Sequence, residues 1–419
     1  MDGEKNGMIA SLGTAFVLVT GTSMALILTA LLLTRAGMPF AAAYTVTVLA
    51  CICGTLAVSR AGRTRIAFPS PAIVSWLVCE EIIAHGFSWQ EILGIAAAVS
   101  CAGALLARTR YLHGLTSTLP PILRTGLVLS LGLTMLQTAA LYARVLLPSP
   151  WALTMSGTLS DPLTYFTLMG ILLVLLLHER MPRAALPIGI ILIGVLTWVE
   201  GFWEIPSAPF LIPDLEGTAF ALMVVPSDLC AAVTLGGTLL IALSTESMAV
   251  LMVKNDDAAH LSLARLFTVS GCMSLLGAFP LTIAPISASI ETEYEAHRKE
   301  GIPLTAVLFA LLLAFLLPCA ILMQALVDFP AMSAVALAVM GLLLLMRGMQ
   351  MLKCTTNFTL REGAVVAAFV LTAYDIKTGL ALALFLWTLL TAVRGEKVPR
   401  MTGALTAFFS LFFLLKWIL

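Results

Sequence analysis

Two carboxylates in this chain stand where carboxylates are costly. Glu246 sits in Leu243-Ser244-Thr245-Glu246-Ser247, a polar cluster inside an aliphatic run, and Glu291 sits in Ser289-Ile290-Glu291-Thr292, shortly after Pro285. A carboxylate at the centre of a membrane helix costs about 2.5–3.5 kcal/mol on insertion scales, and those that persist face a cavity, a partner or a proton path. Burial also favours the neutral form of a carboxyl, which gives such a residue the means to pick up and release a coupling proton. Each has a plainer reading. Glu246 can serve as a packing hydrogen bond to a nearby hydroxyl, and Glu291 can open a solvated run with Glu293, Glu295, Arg298, Lys299 and Glu300.

Two stretches in opposite halves of the chain read almost alike: Ile66-Ala67-Phe68-Pro69-Ser70-Pro71 and Thr282-Ile283-Ala284-Pro285-Ile286-Ser287. Proline removes a backbone donor just where each apolar run would enter the hydrocarbon. Irregular backbone survives at that depth only when it is buried in protein or lines a cavity. The pattern predicts a short extended piece in each, followed by a half-helix beginning near Ser70 and near Ser287. The positive ends of the two half-helices would meet at one central spot, suited to anionic or hydrogen-bonding solute groups. A pair of simple proline kinks is the alternative. The candidate solute-binding residues are therefore Glu246, Glu291, Ser70, Phe68, Ser287 and Thr245, with Glu291 and Glu246 as candidates for proton coupling.

These residues need a membrane scaffold to hold them, and the composition supplies one. The chain of 419 residues is 60% hydrophobic and only 11% charged, against about 45–50% apolar in soluble domains. Apolar runs fall near 8–33, 39–58, 66–84, 88–107, 119–142, 162–178, 184–201, 230–253, 262–280, 282–297, 302–326, 331–352, 362–375 and 377–393, with one more at 402–418. The first reads as a membrane helix rather than a cleavable leader, because it lacks a basic start and a small-residue cleavage site. Lysine and arginine collect in alternate loops: Arg60, Arg63 and Arg65, then Arg108 and Arg110, Arg180 and Arg183, and onward to Arg394, Lys397 and Arg400. This bias places both termini in the cytoplasm. The connection near 200–228 is acidic and carries no base.

The expected fold is an all-α polytopic membrane protein of about fourteen segments. Seven segments per half is odd, so the halves (1–205 and 206–400) must lie in opposite orientations, with extended stretches in segments 3 and 10. The tail at 401–419 either crosses again or, the reading favoured here, packs beside the bundle or along the inner surface. The eight cysteines show no metal-ligand spacing, and a formal net charge of zero offers nothing to a nucleic acid. No Gly-rich loop ending in Lys-Ser/Thr is present to bind ATP phosphates. Asp375 and Lys377 read as a surface turn between the last two segments. The chain reads as a carrier in the plasma (inner) membrane, with no cofactor, rather than as an enzyme.

Several motifs are similar to those of the xanthine/uracil permease family, the nucleobase-ascorbate transporters, and nearest to its guanine/hypoxanthine branch. Ile66-Ala67-Phe68-Pro69 followed by Gly86-Phe87-Ser88-Trp89-Gln90 resembles that branch's third and fourth spans; Leu119-Pro120 through Gly126 and Gly132 resembles its fifth; Glu246-Ser247 its eighth; and Ser289-Ile290-Glu291-Thr292 its tenth. The resemblance implies a core domain (segments 1–4 and 8–11) that moves against a gate domain (segments 5–7 and 12–14). It also implies that Glu246 and Glu291 hydrogen-bond a planar base, with backbone near Ser70 completing the site. This chain departs from the branch in having Ser70-Pro71-Ala72 where glycines are usual, and Tyr294, Glu295 and His297 after the tenth-segment acid. The expected function is a secondary active permease, coupled to protons or sodium, for a nucleobase or similar small polar solute; a homodimer is one open assembly. An anion transporter of the sulfate-permease type on the same fold is the alternative, and an inactive membrane scaffold or sensor is a third.

Overall fold

The structure, a computed structural model, describes residues 2–59, 69–71, 81–109, 119–147, 155–156, 158–182, 184–213, 215, 217–253, 259–288, 303–353 and 359–418. The first half comprises α1 (Asp2–Arg35), α2 (Phe40–Ser59), the strand β1 (Pro69–Pro71), α3 (Trp89–Arg108), α4 (Pro121–Tyr142), a small hairpin of β2 (Leu146–Leu147) and β3 (Met155–Ser156), α5 (Pro162–Arg180) and α6 (Ala185–Val199). In the second half come α7 (Leu229–Val253), α8 (Ala259–Ser274), the strand β4 (Leu281–Ile283), a 3-10 turn (Pro285–Ala288), α9 (Leu304–Leu316), a second 3-10 turn (Leu317–Cys319), α10 (Ala320–Ala325), α11 (Ala331–Lys353), α12 (Leu360–Leu371) and α13 (Ile376–Val393). A final helix, α14 (Arg400–Ile418), closes the chain as described. Among the described residues, nine helical stretches are long and apolar enough to cross a membrane.

Local sequence explains where several helices start. Ser88 caps α3, accepting from the Glu91 backbone N–H while the Glu91 carboxylate accepts from the Ser88 N–H at 2.8 Å, a reciprocal capping box. Asp161 caps α5 with Pro162 in its first turn, where the missing N–H costs nothing. Thr359 and Glu362 form a second capping box at α12.

Packing is dense where small residues let backbones approach. The α4–α11 contact is centred on two glycines: a Cβ on Gly132 would lie 2.9 Å from the Gly341 carbonyl oxygen, and one on Gly341 would lie 2.8 Å from the Gly132 carbonyl oxygen. In lipid, where apolar burial does not drive helices together, such close approach is a main source of association. α3 and α8 meet similarly, with Phe267 lying over Gly103. α14 packs on α13, joined by Thr388 Oγ1 and Thr406 Oγ1 at 2.8 Å, and its Phe412 ring covers Gly237 of α7.

The run expected at 302–326 is one apolar stretch long enough to cross a membrane, Leu304–Ala325, with a 3-10 turn between α9 and α10 where Pro318 cannot donate to the helix ladder. Two expectations need correction. The run at 362–375 ends as a helix at Leu371. A turn follows, with Tyr374 exposed, but its charged pair is drawn inward: Asp375 caps α13, and Lys377, 9% exposed, places Nζ 2.8 Å from Asp375 Oδ2, with Thr378 Oγ1 donating to the same oxygen at 2.6 Å.

The acidic connection between α6 and α7 is held in place. Leu211 N–H donates to the Pro318 carbonyl at 2.8 Å, Phe220 N–H to Leu275 at 2.7 Å and Met223 N–H to Gln90 at 2.9 Å. Ser227 N–H donates to Glu91 Oε1 at 2.7 Å. These bonds fasten the loop to the ends of α3, α8 and the α9–α10 break.

Candidate functional site

The two proline-broken stretches meet. β1 and β4 pair antiparallel, with Pro69 opposite Ile283, Ser70 opposite Thr282 and Pro71 opposite Leu281. Of the three residues in β1 only Ser70 carries a backbone donor, so a ladder this short suits proline on both sides of it. The strand pair lies among α1, α2, α7 and α8, and the following 3-10 turn is set against α1, α7 and α11. Leu281, Thr282, Ile283, Ala284, Pro285, Ile286, Ser287 and Ala288 are all buried. Extended backbone is tolerated at 281–283 because protein surrounds it, the partner strand pairs with it, and Ser270 Oγ accepts from the Leu281 N–H at 3.1 Å.

α7 brings the acid to this crossing. Glu246 has 0% exposure, and its Oε1 accepts a hydrogen bond from Thr282 Oγ1 at 3.1 Å. That bond joins mid-α7 to the central residue of β4, so the carboxylate is fixed against the strand pair rather than turned toward lipid. Thr245, also buried, points back along its own helix and donates to the Ile241 and Ala242 carbonyls at 2.9 and 3.0 Å. Its hydroxyl proton is committed to α7. Ser247, the next residue, is fully buried, and its Oγ has no hydrogen-bond partner among the described residues.

Ser287 lies in the 3-10 turn, fully buried, and its Oγ also lacks a partner. A buried hydroxyl left unsatisfied carries a desolvation cost of about 1–3 kcal/mol, which an occupant able to hydrogen-bond would relieve. Ser70 is placed by its backbone at the centre of β1, so the extended piece runs through it instead of ending before it. Phe68 and Glu291, and the half-helices expected after each strand, lie outside the described residues.

The structure thus brings Glu246, Thr245, Ser70 and Ser287 to one region, and it adds Thr282. Sequence reasoning passed over Thr282 because its role depends on a contact across 36 residues, which no local pattern encodes. The available signal was the alternation of a polar residue between Leu281 and Ile283 in a segment otherwise apolar.

Comparison with known proteins places the chain. No family model matches it. Over 409 residues, 94% of this chain and 92% of the relative, it is 26% identical to the guanine/hypoxanthine permease PbuO of Bacillus subtilis strain 168. It is 24% identical over 236 residues to a protein of Methanocaldococcus jannaschii named as a permease, a match that takes in 56% of this chain and spans only about half, 53%, of that relative. Among solved structures, it is similar to the transmembrane domain of the cyanobacterial bicarbonate transporter BicA, with TM-score 0.56 and 15% identity over 89% of this chain and 97% of that one. It is also similar to SLC26A9, with TM-score 0.56 and 13% identity over 93% of this chain and 66% of that one. At these identities the structural likeness speaks to fold alone. Similarity along nearly the whole chain to a guanine/hypoxanthine permease, together with a fold shared with solved membrane carriers, marks this protein as a multi-pass membrane transporter that resembles the permeases.

Proposed function

We propose that the chain is a secondary active, proton-coupled permease for a nucleobase, purine or pyrimidine, or for a similar small polar solute. The observation that carries this reading is the fully buried Glu246 carboxylate, hydrogen-bonded to Thr282 on the crossed strand pair. A planar base presents adjacent N–H donors on one edge, and a carboxylate is an acceptor for such donors. Unpartnered hydroxyls at Ser247 and Ser287 supply further hydrogen-bonding capacity near the same elements. Under this reading Glu246 binds the solute edge, Glu291 makes a proton-linked or structural hydrogen bond, and Phe68 and Ser70 complete the wall. A proton on Glu246 or Glu291 would accompany each transport cycle.

The inverted repeat and the division into core and gate belong to the same proposal, and the helix packing supports them. Shifting every segment by seven maps α1 to α7, α2 to α8, β1 to β4, α3 to α9–α10, α4 to α11, α5 to α12 and α6 to α13. Neighbour pairs then exchange: α1–α2 with α7–α8, α2–α9 with α8–α3, α1–α9 with α7–α3, α5–α6 with α12–α13, α5–α11 with α12–α4, and α1–α11 with α7–α4. The self-paired contacts, β1–β4 and α4–α11, are reciprocal about Ser70/Thr282 and about Gly132/Gly341, as a pseudo-two-fold axis requires. α1, α2, α3, α7, α8 and α9 pack mainly with one another, as do α4, α5, α6, α11, α12 and α13.

An anion carrier on the same fold is the rival, and it has no use for a deep acid beside its site. The test is a thermal-shift screen of the purified protein against purines, pyrimidines, sulfate and bicarbonate, repeated on Glu246→Gln. A ligand that binds only the folded state raises its stability. A base that protects the wild type but not the variant supports the proposal; protection by an anion, unchanged in the variant, refutes it.

A further inference from the structure

Where α2 and α3 end and α8 begins, the three helices part around a cavity of ≈ 690 Å³ lined by Ala57, Arg108, Leu261, Ala264, Arg265 and Thr268. Deeper in the bundle α3 and α8 touch, with a Cβ on Gly103 set to lie 2.7 Å from Phe267 Cδ1. The cavity opens beyond that contact. Two guanidiniums reach it. Arg265 Nη1 is buried without a hydrogen-bond partner, and neither Arg108 nor Arg265 takes part in an ion pair among the described residues. A guanidinium with a buried, unspent donor is a strong acceptor-seeking group, matched best by carboxylate or phosphate oxygens.

Apart from Thr268 the remaining walls are aliphatic, and the same helix ends expose further apolar side chains: Leu56 on α2, Leu105 and Leu106 on α3, and Leu261 on α8. Such a surface is what membrane helices present to acyl chains. A free phosphate would satisfy the arginines and leave the apolar wall uncovered, whereas a phosphodiester bearing acyl chains satisfies both. We propose that this cavity is a binding site for an anionic phospholipid, with Arg108 and Arg265 on the headgroup phosphate and the lipid tails lying against Leu56, Leu105, Leu106 and Leu261. The bias of basic residues puts this end of the helices at the cytoplasmic face, where basic pockets between membrane helices hold anionic headgroups.

The test uses the full chain purified in a neutral detergent and its thermal unfolding in the presence of phosphatidylglycerol, phosphatidylcholine or inorganic phosphate. Phosphatidylglycerol is expected to raise Tm, while phosphatidylcholine and phosphate at equal concentration leave it unchanged. The double variant R108Q/R265Q should weaken the apparent affinity for phosphatidylglycerol by about tenfold or more, the size of one or more lost charge-assisted hydrogen bonds; R265K, which keeps the charge, should retain most of it. Equal stabilisation by phosphatidylcholine, stabilisation by phosphate alone, or an undiminished lipid preference in the double variant would overturn the proposal. Should the double variant fail to fold, native mass spectrometry of the wild type and R265Q decides the matter. Preferential retention of phosphatidylglycerol by the wild type and its loss in R265Q supports the site, and indifferent retention by both refutes it.

Discussion

Replacing Gly132 with valine should separate α4 from α11. A Cβ at Gly132 meets the Gly341 carbonyl oxygen at 2.9 Å and the Leu345 Cγ and N at 3.0 Å, several tenths of an ångström inside ordinary van der Waals contact. Two of those three atoms are backbone, so relief requires the helices to move apart rather than a side chain to rotate. Overpacking of this kind costs about 1–3 kcal/mol. For alanine, about 1 kcal/mol of that is offset by the better helix propensity, leaving Gly132→Ala mildly destabilised. Valine adds two methyls and a weaker helix propensity, so Gly132→Val should lose about 3 kcal/mol or more. Gly341→Ala should behave like Gly132→Ala, and the double variant should be non-additive because the two sites share the contact. Gly13 of α1, with nothing within 4 Å of its would-be Cβ, is the internal control: its alanine variant should be neutral or slightly stabilised. The assay is thermal unfolding of purified variants in one detergent. A Gly132→Val protein as stable as the wild type, or a loss at Gly13→Ala equal to that at Gly132→Ala, would refute the close crossing.

A Cβ on Gly94 would fall 1.9 Å from the Met223 carbonyl oxygen, so Gly94→Ala should lift the α6–α7 loop off α3; hydrogen exchange at Met223 and Ser227 should accelerate by about tenfold or more, and unchanged exchange would show that the loop is not seated there. Asp375→Ala removes both the cap of α13 and the partner of the buried Lys377; it should cost about 2–4 kcal/mol in thermal or denaturant unfolding, with Lys377→Met in the same background recovering part of the loss, since an unpaired buried charge is the larger fault. Thr388→Ala removes the Thr406 contact and should loosen α14 by about 1 kcal/mol, read as faster exchange confined to α14; a uniform loss over the whole bundle would contradict that local role.

The sequence disclosed the features that are local. Proline in Ile66–Pro71 and in Thr282–Ser287 forbids a continuous helical ladder, and both stretches are extended in the structure at Pro69–Pro71 and Leu281–Ile283. The Ser88/Glu91 spacing marks the start of α3. Glu246 stood out because an acid inside an aliphatic run needs a reason. What escaped was non-local. The pairing of Ser70 with Thr282 joins residues from opposite halves, and nothing in either segment specifies its partner. Lys377 looked like a surface residue because lysine is seldom buried; its burial depends on the aspartate two residues earlier, which caps the helix and neutralises the ammonium together with it. Within the 302–326 span, the 3-10 turn at Leu317–Cys319 escaped because hydropathy does not register the backbone donor that Pro318 lacks.

The most direct measurement is calorimetric binding of a nucleobase such as guanine or uracil to the wild type, Glu246→Gln and Thr282→Val. Removing a charge-assisted hydrogen bond costs about 1.5–3 kcal/mol, so Glu246→Gln should weaken Kd by about tenfold to a hundredfold, and Thr282→Val, which leaves the carboxylate in place without its hydroxyl donor, should weaken it by a smaller factor. Undiminished nucleobase binding in Glu246→Gln, or heat on titration with bicarbonate or sulfate but with no base, would contradict a solute site built around this buried carboxylate.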